Sequence, residues 1–356
     1  MSVTEPSQSP TARVTMKDIA DKAGVSSSTV CRALNSNPQI PEKTRNRIKQ
    51  VAESLGYRPD PLLSAFASRR RGRHRESDIT TIAYLSNFST RDEWRDNPFY
   101  QRCHAGAQAR LEEMGYKLEH FWLGETGMTG ARLSKILYSR GILGLFVAPI
   151  QEVRQHIDMD WSLFSSITVG YSFLKPNIHR SAPHHFHGIQ ESLRQLHDLG
   201  YKRVGLCLFS ETSRRVDELW FSGALVAENR RMESVQGKKR DFSVMHYLFN
   251  DETLRDAPEW CRRNKLDVVI SDNLIVKHEL ESAGFSVPGD VDFATLNWEE
   301  EHPEVAGIDQ RARHVGASAM DMMIGAIQRG ERGVPEVPLT TMVEGVWKAG
   351  ASLTRA

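Results

Sequence analysis

The sequence predicts an N-terminal all-α helix-turn-helix head followed by an α/β body of two lobes built on doubly wound parallel sheets. Three observations carry this. Residues 15–60 hold three short helical patterns with small turn residues between them. From about residue 78, apolar runs fit for buried strands alternate with helical patterns, the β-α-β-α order of a parallel sheet. The charge divides along the same line: residues 1–75 carry 14 Lys and Arg against 6 Asp and Glu, and the rest 32 against 39. A net charge of +1 thus hides a basic head on an acidic body, the pattern of a nucleic-acid-binding module joined to something else.

In the head, Thr15 is a good N-cap, and Asp18 three residues later can complete a capping box. Met16, Ile19, Ala20 and Ala23 recur at helical spacing and give one apolar face. Gly24 ends this helix, where a left-handed residue costs little. Val25 fills the corner, and Ser26 caps a second helix with Val30, Ala33 and Leu34 inward. The third helix runs from about Pro41 to Leu55, with Ile48, Val51, Ala52 and Leu55 inward and Gly56 as its stop. The first two helices and their short turn make a helix-turn-helix.

The outward face of the second helix holds Ser27, Ser28 and Arg32. Arg reads guanine O6 and N7 with two parallel hydrogen bonds, and Ser is a short donor or acceptor. Ser26, Thr29 and Asn35 flank them with groups that hydrogen-bond phosphates.

DIADKAGVSSSTVCRALN and KTRNRIKQVAESLGYRP resemble the DNA-binding domain of the LacI/GalR family of bacterial transcription regulators. The resemblance covers nearly all of residues 15–59. It departs at Cys31, where the family usually has Ser, and at Ile40-Pro41, where it usually has Val-Ser. It implies that Ser27, Ser28 and Arg32 read bases. It places Thr15, Ser26, Thr29, Asn35, Thr44 and Tyr57 against the DNA backbone.

Asp60-Pro61 is a strong helix start, since Asp caps and Pro suits the first helical position. A helix of about two turns is unstable alone in water and should order on DNA beside a second copy. In the family such a hinge helix enters the minor groove and wedges a base step. The aligned residue is Phe66, and Phe is a known wedge. Arg69, Arg70, Arg71, Arg73 and Arg75 follow as a basic linker.

In the body, TTIAYLSN reads as the first strand, Pro98 to Gly115 as a helix and KLEHFWL as a strand. ARLSKILYSRG is helical; GLFVAP and SITVGY are strands. GIQESLRQLHDLG is helical and KRVGLCLF a strand. A helix at about Glu218–Arg231, the strand DVVIS, a helix near Ile275–Ala283 and the strand DFATLN complete the reading. Ligands of such sheets bind beyond the carboxyl ends of strands, hence in a cleft between two lobes.

The body resembles, more weakly, the periplasmic-binding-protein-like effector domain of the same family. That implies an effector site at Asn97, Phe99 and Tyr100, where an amide bridges hydroxyls and aromatic faces stack on a sugar. Phe99 and Tyr100 also fit a helix core, and Trp94 is an alternative aromatic wall. Arg215 matches the family's effector-binding Arg, and Asp272, Asn297 and Gln310 stand at successive strand ends. His184 and His185 replace the family's usual Asp-Asn, and with His179 and His187 make a His-rich loop. Its spacing matches no zinc pattern, so no metal is expected.

The chain shows no P-loop, no G-x-S-x-G and no H-E-x-x-H, so no enzyme and no cofactor are expected. The start has no apolar run, and four scattered Cys fit a reducing cytoplasm. The expected organisation is a disordered tail at 1–13, the DNA-binding domain at 14–59, hinge and linker at 60–77, and an effector-binding and dimerisation body at 78–350. The expected role is a cytoplasmic, sequence-specific repressor with no membrane contact. It would bind a palindromic operator as a homodimer, under control of a small polar effector, a sugar or sugar derivative, in the interlobe cleft.

Overall fold

The structure, a computed structural model, describes residues 15–34, 40–55, 80–150, 157–232 and 242–355. Asn35, Tyr57, Phe66 and the expected hinge helix lie outside the described residues. The chain divides into two compact units, Met1–Ser77 and Asp78–Ala356.

In the first unit, α1 (Met16–Ala23) starts at a full capping box. The Thr15 N–H and hydroxyl each donate to Asp18 Oδ2 at 2.7 Å, and the Asp18 N–H donates back to Thr15 Oγ1 at 3.4 Å. Gly24 closes the helix at φ 64°, as its position predicts. α2 (Ser27–Leu34) starts after Ser26, whose Oγ accepts from the Thr29 N–H at 3.2 Å. α3 (Glu42–Ser54) starts after Pro41, whose side chain gives it no cap. Ile19, Ala20, Ala23, Val30, Ala33, Ile48 and Ala52 form the buried core, and Val25, Leu34, Val51 and Leu55 pack around it half-buried.

The second unit holds two sheets with helices on both faces. The first is formed by β1 (Thr80–Ser86), β2 (Tyr116–Trp122), β3 (Gly144–Val147), β4 (Ser165–Val169), β5 (His179–Pro183) and the late strand Thr340–Val343. Their order is Thr340–Val343, β5, β4, β3, β1, β2, all parallel. Between them run α4 (Pro98–Glu113) and α5 (Gly130–Ser139).

The chain then builds the other lobe: α6 (His185–Asp198), β6 (Arg203–Phe209), α7 (Ser210–Arg215), α8 (Leu219–Met232), β7 (Ser243–Phe249), α9 (Ala257–Asn264), β8 (Val268–Ser271), α10 (Ile275–Ser282), β9 (Asp292–Thr295) and β10 (Ala306–Asp309). It returns to the first lobe as α11 (Ala312–Arg329) and β11 (Thr340–Val343), and ends as β12 (Val346–Lys348). The second sheet runs β12, β10, β9, β8, β6, β7, parallel except for β12. The doubly wound two-lobed body predicted from the strand–helix alternation is thus present. Three crossovers join the lobes, at 184, at 310–311 and at 344–345.

Each sheet is buried on both faces, as a parallel sheet requires. The first packs against α4 and α11 through Ile82, Tyr84, Phe146, Ile167 and Met320, and on its other face against α5 through Leu85, Leu133 and Leu145. The second packs against α6 and α8 through Leu193, Leu206, Trp220 and Ile270, and oppositely against α9 and α10 through Trp260, Val269 and Phe293.

α4 and α11 meet backbone to backbone. A Cβ on Gly106 would lie 2.0 Å from the Arg313 carbonyl oxygen, and one on Gly316 would lie 1.9 Å from that of Cys103. Residues past 350 belong to the second lobe. Ser352 Oγ donates to the Phe293 carbonyl at 2.7 Å, and Leu353 is buried.

The His-rich segment is not a loop. His179 lies in β5, His184 caps α6, and His185 and His187 occupy its first turn. β5 hides from an apolar-run search because it reads HRSAP, yet it is buried between two strands. The Arg180 guanidinium lies among the Phe173 carbonyl and Asn177 Oδ1, at 3.3 and 3.0 Å.

Candidate functional site

On the head, the polar face of α2 stands as its spacing predicts. Ser26, Ser27, Ser28 and Arg32 are exposed, while Thr29 and Thr44 are half-buried. Ser26 Oγ lies 2.8 Å from Ser28 Oγ and 2.9 Å from Thr29 Oγ1. These three hydroxyls form one cluster at the start of α2, where the helix dipole favours an anion such as phosphate. Thr15 is exposed, but its hydroxyl is committed to Asp18. The same cap holds the Asp18 carboxyl below the usual range.

In the body, all seven residues expected at the effector site face one cleft at the strand ends. A cavity of about 320 Å³ is lined by Asn97, Phe99, Asp272, Asn297 and Gln310, among others. A smaller one of about 100 Å³ is lined by Tyr100 and Arg215, and again by Asn97, Phe99, Asn297 and Gln310. The two chambers therefore share a wall.

Three of the polar residues brace each other. Asn297 Nδ2 donates to the Asp272 carbonyl at 2.7 Å. Gln310 Nε2 donates to the Leu296 carbonyl at 2.7 Å and also to Asn297 Oδ1. Asp272 Oδ1 accepts the Phe209 N–H at 3.0 Å. The ends of β6, β8, β9 and β10 are so tied into one ladder, which fixes side chains before any ligand arrives. Burial pushes the Asp272 carboxyl up to about 6, against the hydrogen bonds from Phe209 and Thr212. It is still mostly ionised at pH 7, a strong acceptor in a confined site.

On the facing lobe, Asn97 caps α4, its Oδ1 accepting the Tyr100 N–H at 3.2 Å. The cap uses the carbonyl oxygen and leaves the amide NH₂ as what Asn97 can offer a ligand. Phe99 and Tyr100 are half-buried and pack on the core beneath, so they serve the core and line the cleft together. Arg215 donates across the cleft to the Tyr100 hydroxyl. Burial is also what raises the Tyr100 phenol above its ordinary range. At the larger chamber, Arg102 pairs with Glu301 of the other lobe.

Trp94 is not a cleft wall. It is buried against Tyr84 and His104, with ring centroids 5.1 and 4.6 Å away. The cleft instead takes aromatic surface from Tyr171, Trp220 and Trp298, which the sequence reading did not single out. Trp220 was hidden because ELWF reads as an ordinary helix start. His185 is also a lining residue; burial pushes its imidazole down to about 3, so it is neutral.

Comparison with known proteins agrees with this division. The family profile described as bacterial regulatory proteins, lacI family, matches residues 15–60. Over 331 residues, 87% of this chain and 91% of the relative, the sequence is 21% identical to the HTH-type transcriptional regulator GalR of Streptococcus thermophilus. The solved transcriptional regulator CelR–cellobiose complex has the same fold. Its TM-score is 0.54 at 18% identity, over 96% of this chain and 100% of that one. The lac repressor dimer bound to operator and the anti-inducer ONPF gives 0.54 at 15% identity, over 95% and 98%. Residues 15–60 thus match the lacI family of bacterial regulatory proteins, and the body has the periplasmic-binding-protein-like fold of the solved regulators.

Proposed function

We propose that the protein is a cytoplasmic repressor that binds a palindromic operator as a homodimer and is controlled by a small polar effector, a sugar or sugar derivative, in the interlobe cleft. The observation that carries the reading is the meeting of Asn97, Phe99, Asp272, Asn297 and Gln310 around one cavity. Amides and a carboxylate arranged beside aromatic faces are what a polyhydroxylated ring needs: hydrogen bonds at its rim and stacking on its C–H faces.

On the head, Ser27, Ser28 and Arg32 read bases, and Thr15, Ser26, Thr29, Asn35, Thr44 and Tyr57 hold the backbone. Phe66 wedges a base step. Two-fold symmetry supports the homodimer, because one small head makes few base contacts and a palindrome doubles them. The cellobiose and operator complexes of the two solved structures support the ligand classes.

The test is a gel shift on palindromic operators selected from random DNA, with and without a panel of mono- and disaccharides. The reading requires a dimer-sized complex whose affinity one sugar changes. It also requires that this response be lost in Asn297→Ala with DNA binding kept. Failure to select any DNA would sink the repressor reading. DNA binding that no sugar alters would sink the effector reading alone.

A further inference from the structure

Outside the cleft, two side chains at the start of α6 meet a third from the last crossover. The His184 and His187 rings stack with centroids 3.6 Å apart and planes 13° apart. His187 Nδ1 lies 3.1 Å from Glu344 Oε1. One ligand atom from each of the three lies within 4.8 Å of the other two. We propose that His184, His187 and Glu344 form a binding site for one divalent cation of the zinc class, with water completing its coordination.

The donor set selects the ion. Two imidazoles and one carboxylate suit zinc and its borderline neighbours. Calcium takes six to eight oxygens and magnesium a near-ideal octahedron, which this set does not offer. Ligand atoms on a tetrahedral zinc stand roughly 3.4 Å apart, given bond lengths of about 2.0–2.2 Å. Closing the present spread requires the two stacked rings to swing apart, because each imidazole lone pair lies in its ring plane and near-parallel planes do not converge on one ion. His187 and Glu344 have room to move, since their side chains are 53% and 65% exposed.

Two costs can be named. His184 Nδ1 accepts a long bond, 3.4 Å, from the His187 N–H. A neutral imidazole that lends one lone pair keeps its hydrogen on the other nitrogen, so coordination gives up this weak cap. The positive end of α6 also disfavours a cation. The Glu344 carboxylate offsets that; Glu191 on the same surface hollow is engaged at both oxygens by Arg194 and adds no free charge.

The position gives the site a meaning. His184 stands in the crossover from β5 to α6, and Glu344 in that from β11 to β12. The two segments already touch, the His184 N–H donating to the Val343 carbonyl at 2.8 Å. A cation held by both ties two of the three crossovers together and resists bending there. Histidine spacing alone did not reveal this, because the third ligand lies 157 residues further on.

The test uses the full chain, stripped with a chelator and dialysed against zinc alone, with cobalt as a spectroscopic probe. The expected result is one cobalt per chain with the d–d absorption of a low-coordinate nitrogen–oxygen site. Zinc affinity should fall roughly tenfold or more in each of His187→Gln and Glu344→Gln. Zinc should also raise the thermal midpoint of the wild type but not of Glu344→Gln. Both substituted side chains are exposed, and circular dichroism checks that the variants fold. Wild type that takes up no zinc at micromolar concentration, or affinity unchanged by both substitutions, overturns the site.

Discussion

Arg32 is the one long cation on the exposed face of α2, between a hydroxyl cluster and the helix end. Ser27 and Ser28 are short and permissive, so most base discrimination should rest on it. Arg32→Ala is expected to cost about 1–3 kcal/mol of operator binding and to relax sequence preference. A footprint and selected consensus unchanged from wild type would exclude the groove assignment. In the cleft, the Asp272 carboxyl rises from 3.8 to about 6 on folding. The folded state therefore holds this proton more tightly. The group's contribution to stability is fully present below 3.8 and is lost as pH rises through 6. His104 and His120 act in the opposite sense. Burial first of all lowers both to about 4, so their contribution is present above 6.5 and lost as pH falls through 4. Asp272→Asn removes this opposition to the histidines. Body stability should then climb more steeply between pH 4 and 6.5, by about 3 kcal/mol across the window. Urea midpoints measured at half-unit steps check this, and parallel curves for the two proteins would refute it.

Among the elements, the α4–α11 contact is the one least able to yield. A methyl group at Gly316 meets a carbonyl oxygen at 1.9 Å, and that oxygen belongs to backbone. Gly316→Ala is expected to destabilise the body by about 1–3 kcal/mol, because a helix must shift. Gly325→Ala in the same helix meets only the tip of Arg329 and should be neutral or slightly stabilising. Denaturant unfolding of the pair separates packing from helix propensity. This seam also shows what the sequence could and could not tell. β1 and β6 were legible because TTIAYLS and RVGLCLF are contiguous apolar runs. β5 was not, because its burial comes from flanking strands rather than from apolar side chains. α11 was not, because its close packing relies on Gly and Ala, which leave a weak periodic signal. In the cleft, Asp272, Asn297 and Gln310 were legible as strand-end polar residues. Trp220 and Trp298 were not, since an aromatic among apolar neighbours reads as core. The head was nearly wholly legible, because caps and turns are local chemistry.

For the whole molecule, the division into two units has a thermodynamic signature. The described head core has seven buried side chains, four of them Ala, and so little apolar surface to set against chain entropy. The body has four larger clusters. Calorimetry should show two transitions, the smaller from the head. Ile48→Ala should cost the head about 2–5 kcal/mol and leave the larger transition in place. A single transition that moves as a whole in the variant would mean that the units unfold together. If an effector weakens operator binding, the operator must weaken effector binding by the same factor, a check that needs only the two affinities. The glycine seam bears finally on how one cleft wall moves. It lies just behind the start of α4, which follows Asn97 and carries Phe99 and Tyr100, and just after Gln310 and Arg311 lead into α11. With that joint locked, α4 and α11 move as one body, so this wall keeps its shape when the lobes bend at the crossovers. A ligand on this side meets a preformed surface, and fitting to it falls to side chains and not to backbone.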